Sequence, residues 1–214
     1  MKEIKLHTIQ EAIKQLKETK KEKFDSSVEL HINLKLDVTQ SDQQIRFSVT
    51  LPNGTGKTQK VAVLASKTIQ GADLQLSETD IDEIATGKLR PKVDFDVIVA
   101  EPRYMAKLAK AAKILGPAGC MPNPKTGTVT EDVEKAVAQF KKGKVEVRTE
   151  KDTPVIHTII GKVSFTEDNL LQNFDELYAS LKQHRPSKAK PDWLKSMYIC
   201  STMGKSYQID FSTL

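Results

Sequence analysis

Apolar and polar residues alternate with a period of two soon after the chain begins. Val28, Leu30, Ile32, Leu34 and Leu36 interleave with Glu29, His31, Asn33, Lys35 and Asp37. Such a strand buries one face and wets the other, as antiparallel sheets do. Ile45, Phe47, Val49 and Leu51 repeat the pattern. Ahead of both lies Thr8-Ile9-Gln10-Glu11, a capping box in which hydroxyl and carboxylate each satisfy an orphan amide. Ile9, Ile13 and Leu16 follow at helical spacing.

The style changes after Leu51-Pro52-Asn53-Gly54-Thr55-Gly56. Val61 to Ala65 and Phe95 to Ala100 are nearly continuous apolar runs separated by helical patterns. One helix is predicted from Ser77 with Ile81 and Ile84 inward. Another starts at Pro102, suited to a first helical turn, and carries Met105, Leu108, Ala109 and Ala112. A third follows Thr130, with Glu131 and Asp132 early and Lys141 and Lys142 late, as the helix dipole prefers. Buried strands alternating with helices imply a parallel sheet covered on both faces.

Beyond Gly143 alternation returns: Val145 and Val147, then a strand from Val155 to Phe165, a helix opened by Thr166 with Leu170, Phe174, Leu177 and Leu181 inward, and a strand from Met197 to Met203. The fold class expected is α+β. A split α+β domain with an antiparallel sheet, 1–54 and 144–214, is interrupted by an inserted Rossmann-like α/β domain, 55–143. Glycine-bearing crossings near Gly54/Gly56 and Gly143 join the two and are where a hinge would sit.

Charge adds a mild bias. Lys+Arg is 33 against Asp+Glu 28, net +5 over 214 residues, with pI about 9.0. Arginine is confined to Arg46, Arg90, Arg103, Arg148 and Arg185. Lysine-carried charge favours phosphate contacts over bidentate base reading. Cys120 and Cys200 form no metal-ligand spacing, and so few cysteines point to a reduced, cytoplasmic setting. No apolar run is long enough to span a bilayer, and Met1 to His7 lacks the apolar core of a signal peptide.

Candidate chemistry is sparse. Gly54-Thr55-Gly56-Lys57-Thr58 looks like the end of a phosphate-binding loop, but the required earlier glycine is Leu51 and a strand, not a helix, follows. No Gly-x-Gly-x-x-Gly follows Val61 to Ala65. Among His7, His31, His157 and His184, none has a cysteine or carboxylate partner at ligand spacing. His31 falls on the wet face, where solvation suffices; His157 reads equally as structural or ligand-contacting. No nucleophile–base–orienter set is present, so an enzyme is not expected. Ser201-Thr202-Met203-Gly204-Lys205-Ser206 ends a strand with small hydroxyls, a glycine and a lysine, a patch that suits polyanion approach. Lys23-Phe24 offers a phosphate contact and a base-facing ring, although Phe24 alone also reads as core.

Gly116 to Val129 holds three prolines and three glycines between two helical patterns. A loop of this kind is kept for function more often than for packing. Together with Lys23 to Glu29, Ser41 to Arg46, Leu51 to Lys57, Phe95 to Ala100, Ile156 to Val163 and Ser201 to Gly204, it resembles the bacterial form of the large-subunit ribosomal protein one ("L-one") family. The resemblance covers almost the whole chain. It implies a split domain that binds large-subunit ribosomal RNA at the mobile stalk and assists exit of deacylated transfer RNA. It further implies repression of the protein's own messenger RNA. The RNA-contacting positions it implies are Lys23, Phe24, Ser27, Glu29, His157, Gly161, Lys162, Thr202, Met203 and Gly204. It implies no cofactor, no metal and no membrane. The chain departs from the family pattern at Ala118, where arginine is usual, at Cys120, where an aliphatic residue is usual, and at Cys200, where a hydroxyl is usual.

Overall fold

The computed structural model describes residues 5–19 and 23–211. The reading of the first residues as lacking a leader falls partly on 1–4, outside the described residues. The ordered elements are β1 (Leu6–His7), α1 (Ile9–Glu18), β2 (Ser27–Leu34), β3 (Arg46–Thr50), β4 (Val61–Leu64), β5 (Leu74–Gln75), α2 (Glu78–Thr86) and β6 (Val97–Ala100). They continue with α3 (Met105–Leu108), α4 (Ala112–Leu115), α5 (Val133–Lys141), β7 (Lys144–Arg148), β8 (Val155–Lys162), α6 (Glu167–Gln183), β9 (Leu194–Ser201) and β10 (Ser206–Ile209). They gather into two compact units, Met1–Gly56 with Val145–Leu214, and Lys57–Lys144.

The first unit is a mixed five-stranded sheet in the order β1-β10-β9-β2-β8, with β3 and β7 paired beside it. Only β1 runs parallel to its neighbour; β10, β9, β2 and β8 are antiparallel in turn. Strand β2 lies between β9 and β8, and its even residues Val28, Leu30, Ile32 and Leu34 are buried while its odd residues stay half-buried. The capping box on Thr8 forms as expected, with Glu11 Oε2 3.2 Å from the Thr8 amide. Ile9, Ile13 and Leu16 of α1 and Leu170, Phe174, Leu177 and Leu181 of α6 share one core with the even face of β2. Two helices therefore cover one side of the sheet.

The second unit is a three-stranded parallel sheet, β5-β4-β6. Every residue of β4 is buried, because the sheet is covered twice. Ala62 and Leu64 pack with Ile81, Ile84 and Leu108, while Val61 and Val63 pack with Val133, Val137 and Phe140. The helix expected from Pro102 is a chain of short pieces, alternating 3-10 turns at Pro102–Tyr104 and Ala109–Ala111 with α3 and α4. Hydrophobic spacing cannot separate 3.0 from 3.6 residues per turn over such lengths. Asp96, just ahead of β6, accepts from Lys57 Nζ at 2.7 Å and from the Lys60 amide at 3.1 Å. Burial would raise its carboxyl, but these donors outweigh burial and hold it below the usual carboxylate range.

Three strands escaped the sequence pattern. Strands β1 and β5 have two residues each, too few for a period. Strand β10 reads Ser-Tyr-Gln-Ile and buries only Ile209. The expected strand to Phe165 stops at Lys162, where Phe165 N closes a turn on Lys162 O at 3.0 Å. The strand expected to Met203 stops at Ser201.

One buried amide holds the end of the first segment in place. Asn173 of α6 is fully buried. Its Oδ1 accepts from the Asn53 amide at 3.0 Å, and its Nδ2 donates to Gly54 O at 2.9 Å and Ile160 O at 2.8 Å. Asn173→Ala would strand three backbone groups and open a void. A loss of about 3 kcal/mol is expected in urea unfolding of the whole chain. Gln172→Ala, at the more exposed end of the same network, is expected to cost under about 0.5 kcal/mol. Equal effects would show that Asn173 is a bystander.

Candidate nucleic-acid interface

The uncovered face of the five-stranded sheet is where the chemistry collects. In β2 the odd residues Ser27, Glu29, His31 and Asn33 point that way. Their partners in β9 are Cys200 opposite Glu29, Tyr198 opposite His31 and Ser196 opposite Asn33. In β8 they are Lys162 opposite Ser27, Ile159 opposite Glu29 and His157 opposite His31. Positions 157, 159 and 162 do not share parity. They share a face because the register shifts between Val28 and Glu29, whose partners are Gly161 and Ile159, leaving Ile160 as the extra residue of a β-bulge. Without that bulge Lys162 would point into the core.

Gly161 serves the bulge from inside. A Cβ there would lie 2.8 Å from Leu170 Cδ2 and 2.9 Å from Phe165 Cδ2. The position is buried, so what a ligand could meet is the neighbouring backbone and Lys162. Lys162 Nζ donates to Ser27 Oγ at 3.0 Å and Asp25 O at 3.2 Å. Among the described residues no carboxylate pairs with it, so its charge faces outward uncompensated. Many other lysines are neutralised, among them Lys35 by Asp192, Lys141 by Asp73 and Lys188 by Asp42.

At the β9 end, Gly204 N closes a turn on Ser201 O at 2.8 Å. Met203, inside that turn, has φ +68° and is 86% exposed. Left-handed backbone is costly for a side chain with a Cβ, and here it aims the thioether at solvent. A Cβ on Gly204 would lie 2.0 Å from Ser201 Oγ, so a larger residue there must displace the Ser201 hydroxyl. Thr202 ties the turn to β2: its amide donates to Ser27 O at 2.9 Å and its hydroxyl to Glu29 Oε1 at 2.6 Å. Phe24, ahead of β2, is 52% exposed, which removes the core reading. Lys23 is exposed beside it.

The histidines separate cleanly. His7 is buried edge-on to Tyr207, and His184 stacks on Phe47. His31 and His157 face each other, Nδ1 to Nδ1 at 2.6 Å, one donating and the other accepting. His31 is not merely solvated, because its Nε2 lies 3.1 Å from Cys200 Sγ and 3.7 Å from Glu29 Oε2. Burial, then His157, pushes its imidazole below the ordinary histidine range, against a smaller pull from Glu29. The absence of a cysteine or carboxylate partner at ligand spacing along the chain did not reveal these neighbours. The partners lie across strands, where spacing along the chain says nothing. Ile159, 40% exposed on the same face, was also missed, since only the bulge register brings it there.

The other motifs do not build a site. The lysine of Gly54-Thr55-Gly56-Lys57-Thr58 is held by Asp96, and β4 follows it. The proline loop is folded on its own backbone. Asn123 O accepts from Thr126 N at 3.2 Å and Thr128 Oγ1 at 3.1 Å, and Thr128 O then receives Ala100 N at 2.9 Å at the edge of β6. Cys120 donates to Asp96 O at 3.2 Å, and burial raises its thiol.

No helix among the described residues is long and apolar enough to cross a membrane. A family model, ribosomal protein L1p/L10e, matches residues 16–205. The large ribosomal subunit protein uL1 of Lactobacillus acidophilus is 47% identical over 212 residues, covering 96% of this chain and 90% of the relative. That of Mesoplasma florum is 45% identical over 97% of this chain and 92% of its own length. The Synechococcus protein of the same name is 43% identical over 95% and 87%. On a family match of this extent and relatives this similar end to end, the chain belongs to the ribosomal protein L1p/L10e family.

Proposed function

We propose that this chain is a structural protein of the large ribosomal subunit, located with the ribosome in the cytoplasm. In this reading it grips ribosomal RNA with the uncovered sheet face of its first unit. The family is structural rather than enzymatic. The carrying observation is that the sheet face carries an uncompensated lysine, Lys162, and the exposed Ile159, while the exposed side chains Phe24 and Met203 lie just before β2 and just after β9. Polar donors and acceptors on Ser27, Glu29, His157 and Thr202 lie among them. Positive charge tracks phosphates, while apolar and aromatic groups stack on unpaired bases. Residues 1–54 and 144–214 would form the split RNA-binding domain, and 55–143 the inserted Rossmann-like α/β domain. With Asn173 fixing the backbone at Asn53 and Gly54, a hinge at this crossing would begin near Gly56. By family resemblance the inserted domain would swing with the stalk as deacylated transfer RNA leaves. The same RNA-binding face would let the protein repress its own messenger RNA through a site that mimics the ribosomal one.

Titration of the full chain with a large-subunit stalk RNA fragment at several salt concentrations tests this reading. Lys162→Ala should weaken binding and shallow the log–log salt dependence by roughly 0.7–0.9 per lost phosphate contact. An unchanged slope would make Lys162 a solvated surface charge.

Met203→Gly separates stability from function. Glycine removes the left-handed penalty but adds freedom to the unfolded chain, so stability should hold or rise by up to about 1 kcal/mol. Loss of the exposed thioether should weaken RNA binding by roughly ten- to a hundredfold, the scale of burying one methionine side chain. Intact affinity would remove the turn from the interface.

A further inference from the structure

We infer that Glu29 Oε2, His31 Nε2 and Cys200 Sγ form a three-ligand site for a zinc-class divalent cation, with the fourth position open to solvent. The three residues come from adjacent positions of β2 and β9, and one ligand atom from each lies within 4.8 Å of the others. Tetrahedral zinc with one sulfur, one nitrogen and one oxygen ligand needs ligand–ligand separations of about 3.3–3.6 Å. The nitrogen–sulfur and nitrogen–oxygen distances are 3.1 and 3.7 Å, so small side-chain adjustments suffice. The donor set mixes thiolate, imidazole and carboxylate. That mixture suits zinc and disfavours magnesium or calcium, which prefer all-oxygen shells.

Two supporting contacts are already in place. Metal-bound histidines have the other ring nitrogen held by an acceptor, which fixes the tautomer. His31 Nδ1 lies 2.6 Å from His157 Nδ1, so a proton on His31 Nδ1 donated to His157 leaves the Nε2 lone pair facing Glu29 and Cys200. Metal-bound carboxylates are likewise oriented by a donor to the free oxygen. Here the Thr202 hydroxyl donates to Glu29 Oε1 at 2.6 Å while Oε2 faces His31. On binding, the Cys200 thiol releases its proton to solvent and the sulfur lone pair forms the bond to the cation; nothing is oxidised or reduced. This inference concerns the RNA-free protein; it shares Glu29, His157 and Thr202 with the proposed RNA face, and a test without RNA lets the two readings fail separately.

Cobalt(II) titration of the untagged full chain, without RNA, tests it. A thiolate-to-cobalt charge-transfer band saturating at one equivalent, and bleached by zinc, is expected. Cys200→Ser should abolish the band, and His31→Gln should weaken cobalt binding by at least about tenfold. Cys120→Ser, in the other unit, should leave the band unaltered. Circular dichroism checks that each variant is folded, and His31→Gln, on the half-exposed face, decides if Cys200→Ser is not. No band at saturating cobalt, a band that survives Cys200→Ser, or unchanged affinity in His31→Gln overturns the site.

Discussion

Strand β2 has an antiparallel neighbour on each side, and the rest of the first unit depends on its register. Its even residues complete a core with α1 and α6, and its odd residues line the open face. Side chains alternate with a period of two, so a slip of one residue would drive Glu29 and His31 into that core and expose Leu30 and Ile32. Core burial and surface chemistry are thus one constraint. Apolar area buried under the helices is what keeps each polar group on the open face at its place.

Two local departures from regular geometry complete the face. The bulge at Ile160 and Gly161 reverses the parity of β8, so that Lys162 joins His157 and Ile159 outside. The turn after β9 holds Met203 in left-handed backbone and presents its side chain almost fully to water. The Met203 turn spends folding free energy on placing a side chain outward, and it lies at the same end of β2 as the bulge. Backbone strain of this kind commonly gathers at binding sites. Thr202 and Ser27 bond the two ends together, which makes the bulge, the turn and the β2 start one rigid patch.

Much of this was legible in the residues. The alternation in 28–36, the capping box at Thr8, the apolar runs of β4 and β6 and the amphipathic α6 each follow from one dominant period. The short strands β1 and β5 carried no period, and β10 reads as polar. The segmented helices at 102–115 differ from a single helix only in hydrogen-bond pitch. For the candidate site, parity alone put Glu29 and His31 on one face. Residue type alone marked Lys23-Phe24 and Ser201 to Ser206 as candidates, and family likeness added Lys162 as an expected contact. What no single stretch of chain could disclose was cross-strand register. Register pairs His31 with His157, sets Cys200 diagonally across from it, brings Ile159 beside Glu29, and places Gly161 where a Cβ would crowd Leu170 and Phe165.

The central claim is that the open face of the first unit's sheet is the RNA-binding surface. Backbone amide chemical-shift mapping of the isotopically labelled full chain, with and without a large-subunit stalk RNA fragment, addresses it most directly. The account predicts that the largest changes cluster at 23–31, 157–162 and 198–204, with 57–144 little altered. Changes concentrated in 57–144, or spread along the lysines of α5 and the proline loop, would contradict it.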